Sequence, residues 1–139
     1  MNTFKRYLCT FLAIGAIIFI FGLILIIKDR KLFNLKFISF FVLAIVIYVF
    51  PMSLFCSKRA SLEEIRINKT SVNIIEEIDV ISSRDCNRKI KTCNDNVIIY
   101  SMDDKFSAWL TNPIEVTDYG EYLIINVPKA YSKYFKSLL

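Results

Sequence analysis

Cys86 and Cys93 are the side chains in this sequence with the most direct chemistry, a thiol pair with six residues between them. On an oxidising side of a membrane they would close a disulfide loop of about eight residues, worth roughly 2 to 3 kcal/mol by the chain-entropy estimate. The spacing fits neither the C-x-x-C of redox sites nor a paired metal motif, and no second thiol pair follows Lys58 to complete four ligands. The chain has no histidine, so the commonest general base and zinc ligand is missing. Its paired acids, Glu63 with Glu64, Glu76 with Glu77 and Asp103 with Asp104, are adjacent. Adjacent residues of a strand face opposite ways, so these pairs read as turns and solvated edges rather than acid/base dyads. Three glycines leave little material for a phosphate-binding loop or a nucleophile elbow. No catalytic, cofactor-binding or metal residue is nominated, and the chain is expected to work without chemistry or cofactor.

What remains is binding. Arg84, Arg88, Lys89 and Lys91 surround the thiol pair and form the one basic cluster of the second half, a candidate contact for lipid headgroups or an acidic partner. A second basic set, Lys129, Lys133 and Lys136, falls at helical spacing beside Tyr131, Tyr134, Phe135 and Leu138. A basic face next to an aromatic one suits either an interfacial helix or a core helix with its lysines in water.

These residues must be positioned by elements of two kinds. Leu8–Ile27 and Phe37–Phe55 contain no charged residue. At roughly 1.5 Å per residue each forms a helix that crosses about 30 Å of hydrocarbon. The first run holds fourteen Leu, Ile or Phe residues, which favours insertion by several kcal/mol on the insertion scale. It is too long for a signal-peptide core and runs into Lys28 without a small-residue cleavage site. Residues 1–57 are therefore expected to form a transmembrane hairpin, with spans of about 8–27 and 36–55. Gly15 and Gly22, seven apart, lie on one face of the first helix, where they allow close packing of the hairpin or of a partner helix. No charge lies at membrane depth to serve an ion pathway.

The net charge of +5 belongs to the flanks of these runs. Residues 1–57 carry six basic side chains against Asp29, whereas residues 58–139 carry twelve of each sign. The excess is topology-setting charge and no argument for nucleic acid. The connector Lys28–Lys36 holds four Lys or Arg; on the other side stand Lys5, Arg6, Lys58, Arg59, Arg66 and Lys69. The balance tips to both termini on the cytoplasmic side of a bacterial inner membrane. Cysteine usage pulls the other way, because a hairpin brings Cys9 and Cys56 to the face that also carries Cys86 and Cys93.

Residues 58–139 suffice for one small domain. Ser61 with Glu64 reads as a capping box opening a short helix through Leu62, Ile65 and Arg66. The β-branched run Val72–Ile81 reads as a strand. Val97–Met102 and Phe106–Leu110 read as a hairpin about Asp103, Asp104 and Lys105, and Ile114–Thr117 with Tyr122–Val127 as a second about Gly120. Pro128 suits the first position of a closing helix. The fold class expected is an α+β membrane protein: a transmembrane hairpin, then a small, mainly antiparallel β domain of four to six strands closed by a C-terminal amphipathic helix. This plan is similar to that of small bacterial membrane proteins carrying a pleckstrin-homology-like domain, a likeness of architecture alone. The expected role is a non-enzymatic accessory or regulatory subunit that meets membrane lipid and a protein partner, or a second copy of itself. The competing roles are a membrane immunity or defence protein that blocks a toxin or phage, and an enzyme with an unrecognised site of scattered residues.

Overall fold

The computed structural model describes residues 2–29, 35–69 and 73–139, which divide into two compact units, Met1–Ser57 and Lys58–Leu139. The first unit holds α1 (Thr3–Lys28) and α2 (Leu35–Ala60) as far as Ser57, the last three residues of α2 belonging to the second unit. Both helices are 26 residues long and apolar enough to cross a membrane, and both extend past the uncharged runs into their polar flanks. Asn2 caps α1 by accepting the amide of Phe4. The ring pairs Phe4–Phe50, Phe11–Tyr48 and Phe19–Phe41 run in opposite sequence directions, which makes the helices antiparallel. Arg30 and Lys31 of the connector lie outside the described residues.

Both glycines of α1 sit at this contact. A Cβ on Gly15 would come within 2.8 Å of Ile45 Cγ2, and one on Gly22 within 3.2 Å of Phe41 Cε1. The apolar side chains away from the contact, among them Ile17, Phe21, Leu25, Phe40, Val46 and Ile47, are exposed.

The second unit is built on one five-stranded antiparallel sheet in the order β1-β5-β4-β3-β2, with β1 Leu62–Asn68, β2 Ile90–Asn94, β3 Val97–Ser101, β4 Ile114–Asp118 and β5 Tyr122–Pro128. Three short helices interrupt it: α3 (Ile74–Arg84), α4 (Lys105–Leu110) and α5 (Ser132–Lys136). The register aligns Ile65, Ile125, Val116 and Ile98 across four strands, with Ile67 on Leu123 and Tyr100 on Ile114. Those side chains share one face. Ile74 and Ile78 of α3 and Phe135 of α5 close over it to make the core. The alternate positions, Arg66, Thr117, Ile124 and Asn126, form the wetter face.

Four sequence expectations are corrected. The run expected as a strand from Val72 is helix α3 from Ile74 onward, Val72 itself lying outside the described residues. Ile74, Ile78 and Ser82 recur at helical spacing and are all buried, Glu76 and Glu77 occupy the first turn and Arg84 the last, so periodicity and helix dipole prevail over β-branching. Ser61 and Glu64 cap nothing: α2 runs on to Ala60, and the next residues form β1, with Ile65 and Ile67 inward. Ser61 Oγ instead donates to the Lys58 carbonyl. Phe106–Leu110 is helix α4 rather than a strand, and β3 pairs with β2 and β4. Pro128 ends β5, and the closing helix starts only at Ser132.

The second hairpin is as expected. Gly120 takes the left-handed conformation, φ 91°, between β4 and β5. Between β2 and β3 the same kind of backbone falls on Asp95, φ 47°, one of the few residue types that tolerate it.

Candidate functional site

The basic cluster of the sequence does not form one surface. Arg84 is exposed and bonded to its neighbour Asp85, whereas Lys89 stands 3.9 Å from Asp103 and Lys91 2.8 Å from Asp79. Asp79 also accepts the hydroxyl of Tyr100, whose own ionisation is pushed upward by burial first and by that carboxylate second. Of the later set, Lys136 lies 2.6 Å from Glu63, holding that carboxyl below its usual range, and Lys133 sits over the Tyr134 ring. Lys129 is exposed. The helix that carries Lys133 and Lys136 is chiefly a core element, since Phe135 is fully buried, and Lys129 precedes it.

Arg88 leaves the surface altogether at 2% exposure. The turn that brings it inward follows α3. Asp85 and Cys86 donate their amides to the Ile81 carbonyl, Asn87 adopts a left-handed φ of 52°, and Arg88 donates its amide to Ser82. Its guanidinium then reaches across the domain, donating to Thr111 Oγ1 at 3.1 Å and to the Asn112 carbonyl at 3.0 Å, and lies over the Tyr131 ring. Asn112 in turn donates its side-chain amide to the Ala60 carbonyl at 3.0 Å. A cavity of about 150 Å³ beside Arg88 is lined by Ser101, Thr111 and Asn112 together with Ile99, Met102, Ala108 and Pro113. This polar bridge fastens the end of α3 and the last residue of α2 to the segment that follows α4. Charge alone, which is what the sequence displays, gives no sign of it.

α4 itself is lightly packed. It has no buried residue. What holds it is capping: Asp104 accepts the Ser107 amide at 2.7 Å, which keeps its carboxyl below the usual range, and Thr111 closes the other end through its amide and hydroxyl to the Ser107 carbonyl. Phe106 and Trp109, one helical turn apart, are 56% and 41% exposed, with ring centroids 6.0 Å apart. Reading this segment as a strand hides that pairing, because residues three apart then face opposite ways. Asp104 ahead of Ser107 is the capping signal that reveals it.

The four cysteines are free thiols in the structure. Cys93 is exposed on the edge strand β2, while Cys86 is buried in the core cluster, where loss of solvent pushes its thiol up to about 11; Arg88 works against that shift and Asp85 adds to it. Among the described residues no group of acids and thiols converges as metal ligands would. Helices α3 and the C-terminal Leu138 border an open groove of about 430 Å³ that includes Glu76, Glu77 and Val80. No protein-family model, no curated protein and no solved structure matches the chain.

Proposed function

We propose that this chain is a small integral membrane protein of the bacterial inner membrane, in which α1 and α2 cross the bilayer as an antiparallel hairpin and hold the α+β domain at its surface as a non-catalytic accessory or regulatory module. The observation that carries the reading is the surface of the helix pair. Isoleucines, leucines and phenylalanines cover its outward sides along most of their length, far beyond the few hundred Å² of contiguous apolar surface that a soluble monomer exposes. A hydrocarbon solvent matches that surface; water does not. The contact between the helices is made by glycines and rings, as in helix pairs that associate without a hydrophobic drive.

The accessory role is supported by where the acids stand. Asp104 caps a helix, and Glu63, Asp79, Asp103 and Asp118 pair with Lys136, Lys91, Lys89 and Lys69. Each has a structural task. Alkaline carbonate extraction of membranes, followed by gel filtration in mild detergent, tests the reading. The chain is expected to remain in the carbonate pellet and then to elute in a larger complex. Release by carbonate would remove the membrane assignment, and elution as a lone monomer the accessory one.

A further inference from the structure

We propose that a groove on the helix pair, between Ile18 and Phe37, takes one acyl chain of an anionic phospholipid whose headgroup is held by Lys28 and Lys36. The inference rests on the membrane-spanning reading and names the lipid which that reading leaves open.

Four observations carry it, all within the helix pair. The first is the lining. A groove of about 470 Å³ is walled by Ile18, Gly22, Leu25 and Ile26 of α1 and by Phe37 and Phe41 of α2, so its occupant must bring no polar atom that needs a partner. The second is depth. Ile18 stands at the middle of the uncharged run Leu8–Ile27, and Lys28 lies ten residues on, just past its end. Ten residues of helix rise about 15 Å, half of a hydrocarbon layer about 30 Å thick. The groove thus follows one leaflet from its headgroup boundary towards the midplane, the course of a single acyl chain. The third is width. From Ile18 to Ile26 the helix rises about 12 Å, which gives the groove a mean section of about 40 Å². A helix about 10 Å across needs roughly twice that. Gly22, the small residue that would let a third backbone approach, is already closed by Phe41, whose ring would lie 3.2 Å from a Cβ there. A slender chain fits between the remaining bulky rims and a second copy's helix does not. The fourth is charge. Lys28 follows Ile26 by two residues and Lys36 precedes Phe37 by one, so in this antiparallel pair both cations stand at the same end of the groove. Both are exposed, and Asp29 is the one acid in residues 1–57, which leaves that end net positive. An anionic headgroup is attracted there, whereas a zwitterionic one brings a cation of its own.

The full chain in mild detergent is titrated with palmitoyl-oleoyl phosphatidylglycerol and, separately, with the phosphatidylcholine of the same chains, and bound lipid is counted by native mass spectrometry. One phosphatidylglycerol is expected to bind at least about fivefold more tightly than phosphatidylcholine, since each cation near an anionic surface is worth roughly that factor. Lys28→Gln combined with Lys36→Gln should erase the preference. Leu25→Trp, which fills the groove, should remove the one-to-one adduct with either lipid. All three positions are exposed, and an unchanged far-ultraviolet circular dichroism spectrum shows that the helices persist. Equal binding of the two lipids by the parent chain overturns the proposal. So does a preference that survives the lysine substitutions, or an adduct that survives Leu25→Trp. A lipid-free dimer would overturn it too, because a second copy would then fill the groove. Carbonate extraction of the same chain separates the two levels. Retention in the pellet without a preference for phosphatidylglycerol refutes the lipid site alone, whereas release from the membrane refutes the reading beneath it.

Discussion

Replacing Ile78 and Val80 one at a time with alanine tests whether residues 74–84 act as a helix over the sheet. In α3 Ile78 is 0% exposed and Val80 50% exposed. In a strand the two would share a face and respond alike. Ile78→Ala removes buried methylene and methyl groups from beneath Phe135 and the sheet, which costs about 2 to 5 kcal/mol. A domain of this size is stable by only about 4 to 12 kcal/mol, so the variant loses a large part of its margin. Val80→Ala loses part of one small contact but gains up to about 0.7 kcal/mol of helix propensity, leaving a net change within about 0.5 kcal/mol. Urea unfolding of the full chain in detergent micelles, followed through Trp109, reads both. With a slope of about 2 kcal/mol per molar urea, Ile78→Ala lowers the midpoint by roughly 1 to 2.5 M while Val80→Ala hardly moves it. Equal shifts for the two would refute the helical assignment and with it the core described above.

In the helix pair, Gly15→Leu drives a side chain against Ile45 and should destabilise the pair by about 1 to 3 kcal/mol, seen as earlier thermal unfolding in micelles, whereas Gly22→Ala meets only a ring edge of Phe41 and costs less; a silent Gly15→Leu would contradict the contact. At pH 8 a maleimide should label Cys93 of the folded chain rapidly and reach Cys86 only after denaturation, because the buried thiol, at about 11, is both covered and protonated. Similar labelling rates would place Cys86 outside the core. Asp118 is held below the usual carboxylate range, first by the Lys69 ammonium and then by the Gly120 amide. A folded-state pKa lower than the unfolded one means that this stabilisation is present above about pH 4 and is lost as pH falls further, so Asp118→Asn should flatten the acid limb of the urea midpoint against pH. An unchanged limb would show that the pair contributes nothing measurable.

The long apolar helices and the β4–β5 hairpin are legible because each is written in a local signal: uninterrupted apolar length for the first, two alternating runs about Gly120 for the second. Helix α3 was hidden by composition. Its isoleucines suit either a strand or a helix, and only the spacing of Ile74, Ile78 and Ser82 tells which face is covered. β2 was hidden by the opposite fault, since a strand exposed at all five positions has no apolar alternation to read. The bridge at Arg88 was not legible at all. Its partners are a hydroxyl and a carbonyl more than twenty positions away, brought near by tertiary folding, so a residue that sequence places among surface cations turns out to lie inside.

The strand order has a consequence for synthesis. β2 to β5 follow one another as neighbours, so each can zip onto the last as soon as it is made. β1 is translated first yet pairs with β5, Leu62 opposite Pro128 and Asn68 opposite Tyr122. At 5 to 20 residues per second it waits roughly 3 to 12 seconds for a partner, its inward isoleucines uncovered until almost the whole chain exists. A chain cut short anywhere before β5 would leave β1 without its partner strand, its inward isoleucines open to chaperones and proteases.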